Sequence, residues 1–362
     1  MYRLTSWIWK RRFRKKVIFN PPFDPQIFLK NVKKIVVVSS PSALASFNKH
    51  FECSEAILNP SIELEDIQEL ANDINDAVVL GIGAGKVMDA TKKLGFLSSS
   101  RTILIPTCLS TTAWLNSGSA LRKDGKLDMS SGRIDKVYIY PKIIQSAPPY
   151  LNYGGIADIF CSYNALLDWK QDHIKNGKRM PSKTFDLFGD FLNRYYLMLQ
   201  SGPTMNSNFI LKEVQMFNEA FEMCWGLRSG RPLEGSEHYL YYALDEQQKR
   251  SIQENTAELF MGNHGSFIAL TTIICLRIRE QMNQENPLIN SDDLITLYDQ
   301  LGIHYRLNDI GFTSNIFLEI LDSIVDWLKN CDLSTQYCLW NELEENSFHV
   351  DKIKLLDGLE IK

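Results

Sequence analysis

The chain has 362 residues, with 39 Lys and Arg set against 43 Asp and Glu and a hydrophobic fraction of 44%. This length exceeds one ordinary domain and the composition is that of a soluble globular protein, so two packed domains are expected. A net charge of −4 and a pI near 5.9 supply no field that would draw nucleic acid to the whole molecule, which excludes that class and leaves small molecules as the expected partners.

In chain order, the first sixteen residues hold seven Lys and Arg and two Trp. They read as a solvated basic arm running into a first strand, with an anionic membrane or a protein partner as the alternative use. No apolar run is long enough to span a bilayer and no secretory apolar region follows the arm. The seven cysteines, at 53, 108, 161, 224, 275, 331 and 338, form no CxxC pair, and their odd number argues against a disulfide framework. The expected location is the cytoplasm.

From about residue 17 to 150, β-rich runs alternate with helical patterns. Strands are expected over 32–40, 76–83, 101–107 and 135–140, and helices over 61–74 and 86–96. Val- and Ile-rich strands alternating with helices imply an α/β domain with a parallel sheet covered on both faces, Rossmann-like in organisation. After about residue 150, apolar residues recur at three- and four-residue spacing over 158–172, 181–200, 207–225, 236–260, 266–282, 291–302 and 313–330. The second domain, 151–362, is therefore expected to be all-helical, with the boundary in SAPPYLNYGG (146–155), where Pro, Asn and Gly cluster.

The stretch GIGAGKVMDATK (81–92) follows a predicted strand and opens a predicted helix. Backbone N–H groups there and the helix N-terminus can point at one anion, and a diphosphate is the natural ligand. The stretch is not a Walker A loop, because Val87 follows Lys86, and it is not the usual dinucleotide fingerprint, because its third glycine comes one residue early. Taken alone it is explained equally well by a structural turn. Its continuation into Asp89 and Lys92, three apart on one helix face just behind the loop, favours the phosphate site, with an ordinary surface salt bridge as the plain alternative.

The pattern GxGxGxxxDxxK, followed by a strand ending in IPTCLST, resembles the superfamily of iron- or zinc-dependent alcohol dehydrogenases, glycerol and glycerol-1-phosphate dehydrogenases and dehydroquinate synthases. YGGIADIFCSYNALLDWK (153–170), RPLEGSEHYL (231–240) and GNHGSF (262–267) resemble further segments of the glycerol-1-phosphate dehydrogenases, in the same order. The resemblance implies a dehydroquinate synthase-like fold with a dinucleotide domain, a helical domain and an active site in the cleft between them. It implies metal ligands at Asp158, His238 and His264, a cofactor diphosphate on Gly83, Ala84 and Gly85 with Asp89 behind, and Thr107 and Ser110 on the nicotinamide side. One carboxylate and two imidazoles leave a metal position open, as a catalytic site requires. Each candidate ligand is expected near the start of a helix. His50, His173, His304 and His349 read as ordinary structural histidines.

The implied activity is hydride transfer between NAD or NADP and a small polyol or polyol phosphate, with zinc or iron as the metal. Three positions depart from the family pattern. Thr112 stands where many polyol-using relatives carry an Asp that meets substrate hydroxyls, so Thr112 faces the expected substrate. Tyr140-Pro141 replaces a frequent Asp-Pro. Ser39 and Ser40 end the first long strand where a carboxylate would often hold the adenosine ribose, so a ribose phosphate is not rejected. Arg228 and Arg231 are candidates to meet a substrate phosphate, with a solvated loop as the plain alternative. A dehydroquinate synthase-like sugar-phosphate cyclase is the alternative function; Asp158 followed by Ile159, Phe160, Cys161 and Ser162, where such enzymes have Glu and soon a Lys, counts against it. A homo-oligomer is compatible with these readings.

Overall fold

The computed structural model describes residues 17–23, 34–51, 57–253, 263–284, 286–331 and 336–360. The basic arm over 1–16, Cys53 and the end of the expected helix beyond 253 lie outside the described residues. The chain divides into two compact units, Met1–Asn152 with Thr204–Glu222, and Tyr153–Pro203 with Met223–Lys362. The division falls near the expected boundary, but the return of 204–222 to the first unit has no signal in the sequence.

In the first unit the elements are β1 (Val17–Phe19), β2 (Lys34–Ser39), α1 (Pro41–Asn48), β3 (Ile57–Leu58), α2 (Leu64–Asn72), β4 (Ala77–Gly83), α3 (Gly85–Leu97), β5 (Arg101–Pro106), β6 (Gly118–Lys123), β7 (Lys126–Ser131), β8 (Lys136–Ile139) and α4 (Pro141–Gln145). Six strands form a parallel sheet in the order β1-β8-β5-β4-β2-β3. Every residue of β4 is buried, as a strand covered on both faces requires. On one face Val78, Leu80, Ile82, Ile103 and Ile105 pack with Phe47, Tyr138, Tyr140 and Ile143. The other face receives α3, and a Cβ on Gly81 would lie 2.5–2.9 Å from the Thr91 side chain.

The chain runs from β2 to β3 on one side and returns to β4 on the other, so the winding reverses between β2 and β4. In open α/β sheets, ligands bind beyond the strand C-termini at such a reversal, and the glycine stretch follows β4 there. The antiparallel β6–β7 hairpin was not anticipated. Its turn, Asp124-Gly125, has φ of 52° and 77°, the type I′ geometry that Asp-Gly favours, and that pair was the available signal. Tyr140-Pro141 is structural: Tyr140 is buried against Phe51 and Pro141 opens α4.

The remaining helices are α5 (Pro149–Phe160), α6 (Ser162–Asn176), α7 (Thr184–Gln200), α8 (Ser207–Leu227), α9 (Ser236–Gln253), α10 (His264–Gln281), α11 (Ser291–Leu301), α12 (Ser314–Asn330), α13 (Leu339–Glu345) and α14 (Lys352–Leu356), with 3-10 turns at Arg231–Leu233 and Asn308–Ile310. No helix among the described residues is long and apolar enough to cross a membrane. Most of the boundary stretch 146–155 is helical: α5 begins at Pro149 and runs through Gly154 and Gly155. Proline is tolerated in a first helical turn because its missing N–H has no partner there. Gly154 lies where α10 crosses, and a Cβ on Gly265 would collide with the Gly154 backbone.

One buried carboxylate ties four helices of the second unit together. Asp168 on α6 accepts hydrogen bonds from Ser236 N (2.6 Å) and Ser236 Oγ (2.7 Å) on α9, Arg279 Nη2 (2.5 Å) on α10, and Leu339 N (2.8 Å) on α13. Asp168 and Arg279 are both essentially inaccessible to solvent. Removing one partner of a buried pair leaves an uncompensated charge and costs about 3–5 kcal/mol. Arg279→Met should therefore destabilise the protein by about that amount in chemical denaturation, and a loss under 1 kcal/mol would show that solvent reaches the pair.

Candidate metal centre and cofactor cradle

The second unit brings Asp158, His238 and His264 together. Asp158 lies in the last turn of α5, not near a helix start as expected, because α5 begins nine residues earlier at Pro149. His238 is in the first turn of α9, and His264 is the first residue of α10. The Nε2 atoms of both histidines converge on Asp158 Oδ1, at 3.0 Å for His264 and 3.7 Å for His238. Asp158 and His238 are buried while His264 keeps about a quarter of its side chain exposed.

Three helix ends meet here for local reasons. Asn263 caps α10, its side chain accepting from Ser266 N, so the chain turns sharply and His264 starts the helix. Gly265 allows α10 to approach α5 at Gly154. Gly235 does the same for α9, since a Cβ there would lie 2.5 Å from Asp168 Oδ2 and 2.8 Å from Ala165 Cα.

Burial alone would raise the Asp158 carboxyl, but His264 and His238 overcome it and hold Asp158 well below the usual carboxylate range. Burial would likewise depress His238, yet the Asp158 carboxylate facing Nε2, with Cys161 and Glu237 beside the ring, pushes it well above the ordinary histidine value. The pocket thus favours positive charge among these groups, which is what a divalent ion supplies. The donor set fits one: tetrahedral coordination at 2.0–2.1 Å places ligand atoms about 3.3 Å apart, and the 3.0 and 3.7 Å separations bracket that value. Cys161 is also near His238 and Glu237. Burial pushes its thiol up to about 12, and Sγ faces the carbonyl oxygens of Asp158 and Leu233 at 3.3 and 3.5 Å, so without an ion it is held as a thiol.

The sequence reading missed the layer behind the ligands. Glu237, fully buried, lies 3.0 Å from His238 Nδ1 and accepts from Gly235 N (2.7 Å) and Asn164 Nδ2 (2.5 Å). The Glu beside His238 and the Asp168-Trp169 pair within α6 were the visible signals. Arg231 is corrected: it is not free to meet a substrate phosphate, because its buried guanidinium bonds Asp172 Oδ2 (2.5 Å) and the Tyr337 carbonyl (3.2 Å). Arg228 is exposed with φ of 54°.

In the first unit, the helix that follows the glycine stretch begins without a side-chain cap at Ala84. Its first-turn N–H groups therefore suit an anion, and the residues fit a diphosphate. The three glycines have different duties. Gly81 and Gly83 make room for α3 itself, since a Cβ on Gly83 would lie 2.7 Å from Val87, whereas a Cβ on Gly85 would lie 3.1 Å from Thr111. Gly85 thus faces the loop after β5 that carries Thr107, Ser110 and Thr112. Thr107 N donates to Gly83 O (2.9 Å), Ser110 Oγ lies 3.4 Å from Cys108 Sγ, and Thr112 is half-buried with its carbonyl accepting from Leu115 N.

Asp89 and Lys92 do not form a surface pair. Lys92 is buried, 2.8 Å from Asp89 Oδ1, and its ammonium also donates to the carbonyls of Ala113 (2.9 Å), Asn116 (3.0 Å) and Gly118. It fixes the loop beyond Thr112 to α3. Asn152 holds the same loop from the other end, accepting from Leu109 N (3.0 Å) and donating to Ile144 O (2.8 Å).

A family model described as iron-containing alcohol dehydrogenase matches residues 27–148. The glycerol-1-phosphate dehydrogenase (NAD(P)+) of Metallosphaera sedula is 25% identical over 301 residues, covering 80% of this chain and 78% of its own. That of Thermoplasma volcanium is 23% identical over 264 residues, covering 71% and 68%. A solved structure of a probable glycerol dehydrogenase from Sinorhizobium meliloti shares the fold over 95% of both chains, with a TM-score of 0.63 at 13% identity. In sequence and in fold, the chain resembles the superfamily of iron-containing alcohol dehydrogenases, glycerol dehydrogenases and glycerol-1-phosphate dehydrogenases.

Proposed function

We propose that this protein is a metal-dependent NAD(P) oxidoreductase acting on a small polyol or polyol phosphate, in the manner of a glycerol-1-phosphate dehydrogenase. The observation that carries the reading is the convergence of one carboxylate and two imidazoles, with Nε2 atoms 3.0 and 3.7 Å from Asp158 Oδ1, in a chain that also has an uncapped helix at a sheet reversal. The curated relatives are named as dehydrogenases, which favours this reading over a cyclase. Six free thiols among the described residues suit a reducing cytoplasm.

Asp158, His238 and His264 would hold the ion and leave a position for a substrate oxygen. When bound, zinc or iron would supply Lewis acidity at that oxygen, and NAD or NADP the hydride chemistry. In the first unit, Ala84, Gly85 and the first turn of α3 would bind the diphosphate. Thr107 and Ser110 would orient the nicotinamide, with Asp89 and Lys92 holding the loop beside it. Tyr241, whose ring centre lies 4.7 Å from that of His264, and Phe267 behind it would keep water from one side of the ligands. Thr112 would face the substrate in place of a carboxylate, which lowers repulsion of a phosphorylated one.

Ala84→Asp separates the cradle from the fold. The new carboxylate would cap α3, adding about 1 kcal/mol of stability, while repelling a diphosphate. The expected result is an unchanged or raised melting temperature with at least about tenfold weaker NADH and NADPH binding; equal binding would place the diphosphate elsewhere. His264→Ala should lose tight zinc binding and turnover while remaining folded, and full retention of both would remove His264 from the centre. The activity itself is read by NADH and NADPH consumption with dihydroxyacetone phosphate and with dihydroxyacetone. Turnover of the phosphate supports a polyol-phosphate dehydrogenase, and turnover of neither, with cofactor bound, rejects the substrate class.

A further inference from the structure

We propose that Glu237 is a positioning residue of the metal centre: its carboxylate holds the proton of His238 on Nδ1 and so leaves Nε2 as a lone-pair donor toward an ion. The inference rests on the metal reading above and concerns a residue that touches no ion itself.

The argument follows a chain of hydrogen bonds whose direction is fixed from one end. A guanidinium only donates, so Arg279 Nε, 2.9 Å from the Asn164 side chain, must face the amide oxygen. The Asn164 NH2 group then faces Glu237 Oε2 at 2.5 Å and donates to it. The other carboxylate oxygen, Oε1, accepts from the Gly235 N–H at 2.7 Å and lies 3.0 Å from His238 Nδ1. A carboxylate with these donors only accepts, so Nδ1 carries a hydrogen, and Nε2, on the Asp158 side, is the nitrogen that gives its lone pair to an ion in exchange for a proton.

The alternative, that Glu237 merely favours the start of α9 by its charge, explains less. A first-turn acidic residue acting on a helix dipole is ordinarily exposed. Glu237 is fully buried, folds back onto Gly235 and is gripped from α6 by Asn164. The adjoining cation is already engaged, because Arg279 Nη2 bonds Asp168 Oδ1 at 2.5 Å. The arrangement is therefore built to hold one imidazole nitrogen, and carboxylate partners of metal-bound histidines raise ligand basicity as well as fix the ring.

The test uses the full chain stripped of metal and reloaded with Co2+. Wild type, Glu237→Gln and His264→Ala are compared by chelator competition and by the visible absorption of the cobalt protein, with the melting temperature of the apo form reading the fold separately. Glutamine keeps the shape but cannot accept from both Asn164 and the Gly235–His238 pair. Glu237→Gln is expected to bind Co2+ about 10- to 100-fold more weakly with a changed spectrum. Equal affinity and an identical spectrum would overturn the assignment while leaving the metal reading intact. A wild type that binds no Co2+ would remove both. Should Glu237→Gln not fold, the nitrogen-15 spectrum of the zinc-loaded wild type decides: protonated Nδ1 on His238 is expected, and protonated Nε2 would overturn the assignment.

Discussion

The second unit depends on a carboxylate that water cannot reach. Asp168 gathers donors from α9, α10 and α13 onto α6, and Arg279 compensates its charge. Burying a single carboxylate is very costly without such partners, so the four helices cannot shift independently without leaving part of that cost unmet. Burial still raises the Asp168 carboxyl despite Arg279, a sign of how little solvent is available.

The candidate metal centre inherits this rigidity. Ser236, bonded to Asp168 through both its backbone and its hydroxyl, is two residues from His238, and Arg279 reaches Glu237 through Asn164. The ligands stand on helix ends, while their orientation is set by groups one and two bonds further in. Catalytic constellations need this kind of support, because a small displacement of a ligand costs much of the function. The first unit solves a similar problem with a cation: buried Lys92 gathers carbonyls from the loop beyond Thr112 and holds them against α3.

Departures from the sequence reading share a physical cause. Arg231 was a candidate for a substrate phosphate because Arg often recognises phosphate, but Asp172, far along the chain, neutralises it. Asp89 and Lys92 looked like a surface pair because helical spacing shows which residues share a face and not whether that face is covered. Gly83 has a second reason to be glycine that local spacing does not show, because Val87 of the succeeding helix occupies the space its side chain would need. In each case the deciding partner could not be read from local spacing.

What the sequence by itself determined was periodic or covalently local. Val- and Ile-rich runs of strand length and three- to four-residue apolar spacing foretold the parallel sheet and most of the helices, because burying a face imposes a repeat on the chain. The ligand triad was legible only by resemblance, since Asp158, His238 and His264 are separated by 80 and 26 positions and no spacing rule joins them. Tertiary structure alone decided that Nε2 of both histidines turns to the same oxygen, that Glu237 stands behind one of them, and that 204–222 returns to the first unit. The first two outcomes depend on which helices approach at Gly154, Gly235 and Gly265, and close backbone approach is a property of two segments at once.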